Sequence, residues 1–220
     1  MTLQQDPATG TTDDRQRRVL LIILGVVAAL ALFAAGAGTA VLTGIGSDAA
    51  PGDASVDAGF ARDMSLHHTQ ATEMAQVARD NSADPDVRLM AYDIETQQFG
   101  QIGQMRGWLQ SWGLSPETGH APMAWMAAGH SMAPGELMPG MASTAELDRL
   151  RTLSGRQLDV FFLQLMIRHH RGALEMSQDA AANATEPYVR DLAGKMAQLQ
   201  AAEVVTMEQM LRARGGQPIS

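Results

Sequence analysis

One stretch of the chain occurs twice. Met64-Ser-Leu-His67-His68-Thr-Gln-Ala71-Thr-Glu73-Met74 returns as Met166-Ile-Arg-His169-His170-Arg-Gly-Ala173-Leu-Glu175-Met176, each shared residue displaced by 102 positions. The displacement holds without a gap from Phe60/Phe162 through Pro85/Pro187, Val87/Val189, Arg88/Arg190 and Gln98/Gln200 to Met105/Met207. A tandem copy of one helix–turn–helix unit leaves few architectures open. Each hairpin alone exposes an apolar stripe, and a second hairpin packed against it covers both. The expected fold is therefore all-α, an antiparallel four-helix bundle made from two repeated hairpins.

The punctuation supports this division. A first helix is predicted over Phe60–Asp80. Asn81-Ser-Ala-Asp84-Pro85 then reads as a turn and a helix start, with Asp84 as cap and Pro85 in the first turn. The second helix runs to about Trp112 and stops at Gly113. Ser143-Thr-Ala-Glu146 has the form of a capping box opening a short helix. A further helix is predicted from Gly155 to about Asn183. Thr185-Glu186-Pro187 repeats the turn, and the last helix reaches Gly215-Gly216. The expected layout is repeat one over 58–113, a Met/His-rich loop over 114–142 and repeat two over 155–216.

Ahead of the repeats, residues 1–18 are polar and end in Arg15-Gln-Arg17-Arg18. Val19–Gly44 then run 26 residues without a charge, where about 20 suffice to cross a bilayer as a helix. With arginines before the run and Asp48, Asp53 and Asp57 after it, the positive-inside tendency predicts a cytoplasmic tail over 1–18 and an anchor over 19–44. It places a linker over 45–57 and the repeats outside the cytoplasm. The small residues from Ala35 to Ala40 leave a cleaved, secreted form as the alternative. The net charge of −8 lies in the exported part and argues against nucleic acid. Cysteine is absent, which excludes disulfides, thiolate zinc sites and iron–sulfur clusters.

Helical spacing puts Phe60, Met64, His67, His68, Ala71, Met74, Ala75 and Ala78 on one stripe, and Phe162, Met166, His169, His170, Ala173, Met176, Ser177 and Ala180 on the other. If the hairpins pack about a pseudo-twofold, four imidazoles and four thioethers lie near one core. Buried imidazoles need hydrogen bonds or a metal ion. Imidazole suits copper, zinc and other transition metals, and thioether sulfur favours Cu(I). Thus the candidate metal ligands are His67, His68, His169 and His170 with Met64, Met74, Met166 and Met176. The other reading keeps the histidines as hydrogen-bonded core residues. Asp63, four before His67, is a candidate to orient it, although the second copy has Leu165 there. Glu73 and Glu175 lie too far round the helix to join the same ligand set.

The central loop carries a second candidate group: His120, Met123, Met126, His130, Met132, Met138 and Met141. It reads either as a soft-metal segment or as a loop whose methionines and Trp125 dock on the bundle. No nucleophile motif and no phosphate-binding glycine loop occurs, so no catalytic residue is assigned.

The doubled His-His-x-x-Ala-x-Glu-Met pattern, together with Gly140-Met141-Ala-Ser143, Glu146-Leu147, Leu150, Gly155 and Asp159, resembles the DUF305 family over about residues 58–215. The resemblance implies an exported or membrane-anchored, ferritin-like helical bundle, with some members linked to copper. Carried over, it lands on His67, His68, His169 and His170 and the methionines beside them. The first copy has Thr69-Gln70 where the second has Arg171-Gly172. Three functions follow as expectations: a copper-sequestering or copper-transferring protein outside the cytoplasm, a structural or interaction module, or a metal-dependent oxidoreductase on the bundle. Zinc or another divalent ion remains the alternative metal. The partners expected are the metal ion and, through 19–44, the membrane; oligomerisation stays open.

Overall fold

Ser55 opens the first helix by accepting the Ala58 N–H on its side chain. Helix α1 therefore spans Val56–Asn81, four residues earlier than the apolar pattern suggests. Residues 56–57, expected in the linker, already belong to it. The computed structural model describes residues 49–126, 132–133 and 135–219. The expected tail and anchor over 1–44, and His130 in the loop, lie outside the described residues. Among the described residues no helix is long and apolar enough to cross a membrane.

After a three-residue turn, Asp84 caps α2 (Pro85–Ser111) through the N–H groups of Asp86 and Val87. The short α3 (Thr144–Thr152) starts with the expected capping box between Ser143 and Glu146. Helix α4 spans Gly155–Asn183 and α5 spans Pro187–Ala213. Gly113 and Gly215, again 102 apart, follow α2 and α5 with φ of 71° and 67°, the left-handed stop that only glycine adopts without a steric cost. Among the described residues there are five helices and no strand.

The hairpins α1/α2 and α4/α5 meet through α1 and α4, and α3 packs on both of those helices. The repeat governs the core. On α2 the buried residues include Val87, Ala91, Ile94, Gln98, Ile102, Met105 and Leu109. On α5 they are Val189, Ala193, Met196, Gln200, Val204, Met207 and Leu211, position for position. Two apolar clusters result. One holds Met74 and Met166 with Phe162 and Leu165. The other holds Met64 and Met176 with Phe60, Met105 and Met196. The doubled histidines lie between the two along α1 and α4.

Each hairpin also ties down the other's turn. Asp57, fully buried at the start of α1, accepts the N–H groups of Thr185 (3.0 Å) and Glu186 (2.8 Å) ahead of α5. Its repeat counterpart Asp159 accepts the Ser82 hydroxyl ahead of α2 at 2.5 Å.

Candidate metal centre

At their crossing, α1 and α4 bring His67 and His169 into contact, with ring centroids 3.8 Å apart and planes tilted by 41°. His68 and His170 turn outward, each toward the second helix of its own hairpin. All four rings are at most 1 % exposed. Burial holds His67 at a pKa of about 4 and His68 at about 3. Burial also drives His169 well below the ordinary value, and its neighbouring imidazoles add to the effect. These three rings are neutral at pH 7, the form in which imidazole binds a metal.

The hydrogen bonds give every ring the same orientation. The Nε2–H of His67 donates to Pro139 O at 3.0 Å, and that of His169 to His67 O at 3.1 Å. His68 Nε2–H donates to Gln101 Oε1 at 2.7 Å. His170 Nε2–H donates to Glu203 Oε2 at 2.9 Å. Because the acceptors are oxygens, the proton of each of the three neutral rings sits on Nε2, leaving Nδ1 with its lone pair. The Nδ1 atoms of His67, His68 and His170 are buried and have no hydrogen-bond partner. Metal-binding histidines are held the same way, the distal N–H on an oxygen and the other nitrogen bare. Among the described residues no three His, Asp or Glu side chains form a ready-made metal cage. The residues therefore offer donors of the right kind without a closed set.

The thioethers divide. Met64 and Met176 lie in one apolar cluster and Met74 and Met166 in the other, all fully buried. Met123, Met126 and Met138 of the central loop are buried in the first of these clusters, with Met132 and Met141 at its edge. The loop thus docks its methionines on the bundle. His120 does not join them. It is exposed at the surface, its Nε2 3.1 Å from Asp53 Oδ2. Asp63 does not orient His67, contrary to expectation. It accepts the Met123 N–H and the Trp125 indole N–H, both at 2.7 Å, and burial pushes its carboxyl up against those two bonds. Asp63 anchors the loop, and its counterpart in the second copy is the apolar Leu165. Glu73 pairs with Arg151 of α3, away from the imidazoles.

The loop reaches the histidines at Pro139. Gly172 makes this possible, since a Cβ there would lie 2.0 Å from Pro139 O. Gly140, at φ +80°, turns the chain against the Arg168 and His169 backbone. On the α1 side Gln70 grips the Ala142 backbone, donating to its carbonyl at 2.9 Å and accepting its N–H at 2.6 Å. The difference between Gln70 and Gly172 in the two copies is therefore the seat of this segment, a strap formed by residues 139–142. Gln101 and Glu203 were not legible as site residues. Each follows its histidine by 33 positions at matched places in the repeat, but they differ in type, so a search for identities passes over them.

The sequence model of the family described as "Domain of unknown function (DUF305)" matches residues 57–211. The chain is a DUF305 protein. It is 42 % identical to a DUF305 protein from Streptomyces coelicolor, assigned as secreted, whose crystal structure superposes with a TM-score of 0.72 over 77 % of this chain and 99 % of that one. A DUF305 fragment from Deinococcus radiodurans is 35 % identical, covering 72 % and 96 % of the two chains, with a TM-score of 0.60. CopM in its Cu(I)-bound form is 26 % identical over 71 % and 96 %, with a TM-score of 0.55. Its Cu(II)-bound form gives 27 % over 72 % and 97 %, at 0.55. No protein of curated function matches.

Proposed function

We propose that this DUF305 protein binds copper outside the cytoplasm, holding it for sequestration or transfer. Its ligands come from His67, His68, His169 and His170, with the thioethers of Met64, Met74, Met166 and Met176 as adjoining donors. The observation that carries the proposal is the common orientation of the imidazoles, each with Nε2–H on an oxygen, and the bare buried Nδ1 atoms of three of them. Unpaired buried nitrogens cost stability in a protein that merely packs its histidines. A metal ion relieves that cost. Related CopM structures hold Cu(I) and Cu(II); neutral imidazole is a copper ligand, and thioether beside it favours Cu(I). The extracytoplasmic location draws support from the arginine-led apolar run at 19–44, the lack of cysteine and the related protein assigned as secreted.

The loop methionines Met123, Met126, Met132, Met138 and Met141 form a second soft-donor group, because they share one cluster with Met64 and Met176. Anaerobic titration of the metal-free full chain with Cu(I) against a chromophoric chelator, with Zn(II) in parallel, tests both groups. Loss of tight Cu(I) binding on replacing His67, His68, His169 and His170 by Ala is the expected result. Binding unchanged by those replacements and lost with the loop methionines would move the site to the loop. Absence of binding in the wild-type chain would leave the histidines as structural core residues.

A further inference from the structure

The two halves of the imidazole group differ in the side chain that accepts the proton of the outward-turned histidine. His68 gives its Nε2–H to the neutral amide oxygen of Gln101, at 2.7 Å. Its repeat counterpart His170 gives the same proton to a carboxylate oxygen of Glu203, at 2.9 Å. The two rings are fully buried and present the same Nδ1. Methionines stand at equal spacing from the histidines in the two copies, Met64 and Met74 in one and Met166 and Met176 in the other. Soft donors therefore do not distinguish the halves, whereas the outer hydrogen-bond partner does.

Building on the copper assignment above, we propose that Glu203 selects oxidation state: through His170 its carboxylate favours bound Cu(II) over Cu(I), a bias that the Gln101 amide behind His68 does not supply. A carboxylate on Nε2–H draws that proton outward and leaves Nδ1 more basic. Its full negative charge also sits on the far side of one ring from the bound ion. In surroundings of low dielectric that charge stabilises the doubly charged ion more than the singly charged one. An amide acceptor fixes the ring equally well but brings no net charge. Glu203 thus acts as a positioning residue that also balances charge, and Gln101 positions without doing so.

The test uses the metal-free full chain in four forms: wild type, Glu203→Gln, Glu203→Asp and Gln101→Glu. Affinities for Cu(I) and Cu(II) are measured separately by chelator competition, and the potential of the bound copper is taken from their ratio. Glu203→Gln is expected to lower Cu(II) affinity about tenfold or more while leaving Cu(I) affinity near its wild-type value. Each tenfold difference raises the potential by about 59 mV. Gln101→Glu is expected to lower the potential, and Glu203→Asp to retain part of the wild-type value because the charge remains. Nitrogen-15 NMR of the metal-free proteins checks that His170 keeps its proton on Nε2 in Glu203→Gln. If wild type binds copper but Glu203→Gln shifts both affinities equally, Glu203 only holds the ring and the selection proposal is overturned. If wild type binds neither ion, the copper assignment itself falls, and the selection proposal falls with it.

Discussion

The first hairpin, α1/α2, and the second, α4/α5, share a plan and differ in what is attached to it. Where they agree residue for residue, the agreement makes core and centre: Phe60 with Phe162, the histidine pairs, Asp57 with Asp159, Gly113 with Gly215. At several positions where they differ, a foreign element is seated. Gln70 clamps the strap that Gly172 admits, Asp63 anchors the loop where Leu165 does not, and Arg168 binds α3 where Leu66 faces solvent. A duplicated fold thus keeps its symmetric positions for stability and the imidazoles, and uses several of the others to attach an asymmetric loop and helix.

The sharpest break of this comparison comes from the matched phenylalanines. Phe60 and Phe162 are both fully buried, so Phe60→Ala and Phe162→Ala should each cost about 3–5 kcal/mol in urea unfolding. A large difference between them would mean that the two halves do not share the core equally.

Acid comes next. His67 and His68 take up protons at about 4 and about 3 in the folded chain, but near 6.5 when unfolded. Between those values the unfolded state binds more protons. Stability of the metal-free protein therefore falls as pH drops through that window, by on the order of 1 kcal/mol per pH unit for each such ring. Melting temperatures recorded from pH 7 to 4 should show this slope. Replacing both first-copy histidines by Gln should flatten it, leaving the share of His169.

Gly172→Ala places a methyl group into the Pro139 carbonyl, with an expected loss of about 1–3 kcal/mol. Ala at Gln70, which faces the other side of the strap, should cost about 1–2 kcal/mol through its two lost hydrogen bonds. If Gly172→Ala proves neutral in thermal unfolding, the strap is not seated on α4.

The smallest effect belongs to α3. Arg168 forks onto Glu146 through two bonds of 2.9 Å, and that contact holds the Glu146 carboxyl at a pKa of about 2. The pair is partly exposed, so Arg168→Leu, which copies the Leu66 position, should cost at most about 1 kcal/mol. The contribution is present above about pH 4.5 and is lost as pH falls through 2; a variant as stable as wild type in chemical denaturation at pH 7 would assign the docking of α3 to Leu147 and Leu150.

Periodicity and repetition made four long helices, both turns and the histidine stripes readable before any coordinates. What escaped them has physical causes. The first helix begins at Val56 behind the Ser55 cap, and its buried Asp57 finds its partners 128 and 129 residues away; from sequence, an acid there looks like solvent-facing linker. The acceptor for His67 is the backbone of Pro139, and a carbonyl has no signature in side-chain type. Gln101 and Glu203 sit on the outer helices, where only the fold brings them to their rings.

The crossed ties of Asp57 and Asp159 bear on how such a molecule could have arisen. A single hairpin carries both an acid at the start of its first helix and a turn waiting for one, and it cannot satisfy its own turn. Two identical hairpins packed antiparallel about a twofold satisfy both at once, which is the self-complementary geometry of an isologous dimer. The chain has the form of such a dimer fused end to end. Fusion frees one half to change without the other, and the exchange of an amide for a carboxylate beside a single histidine is a change that an identical pair could not make.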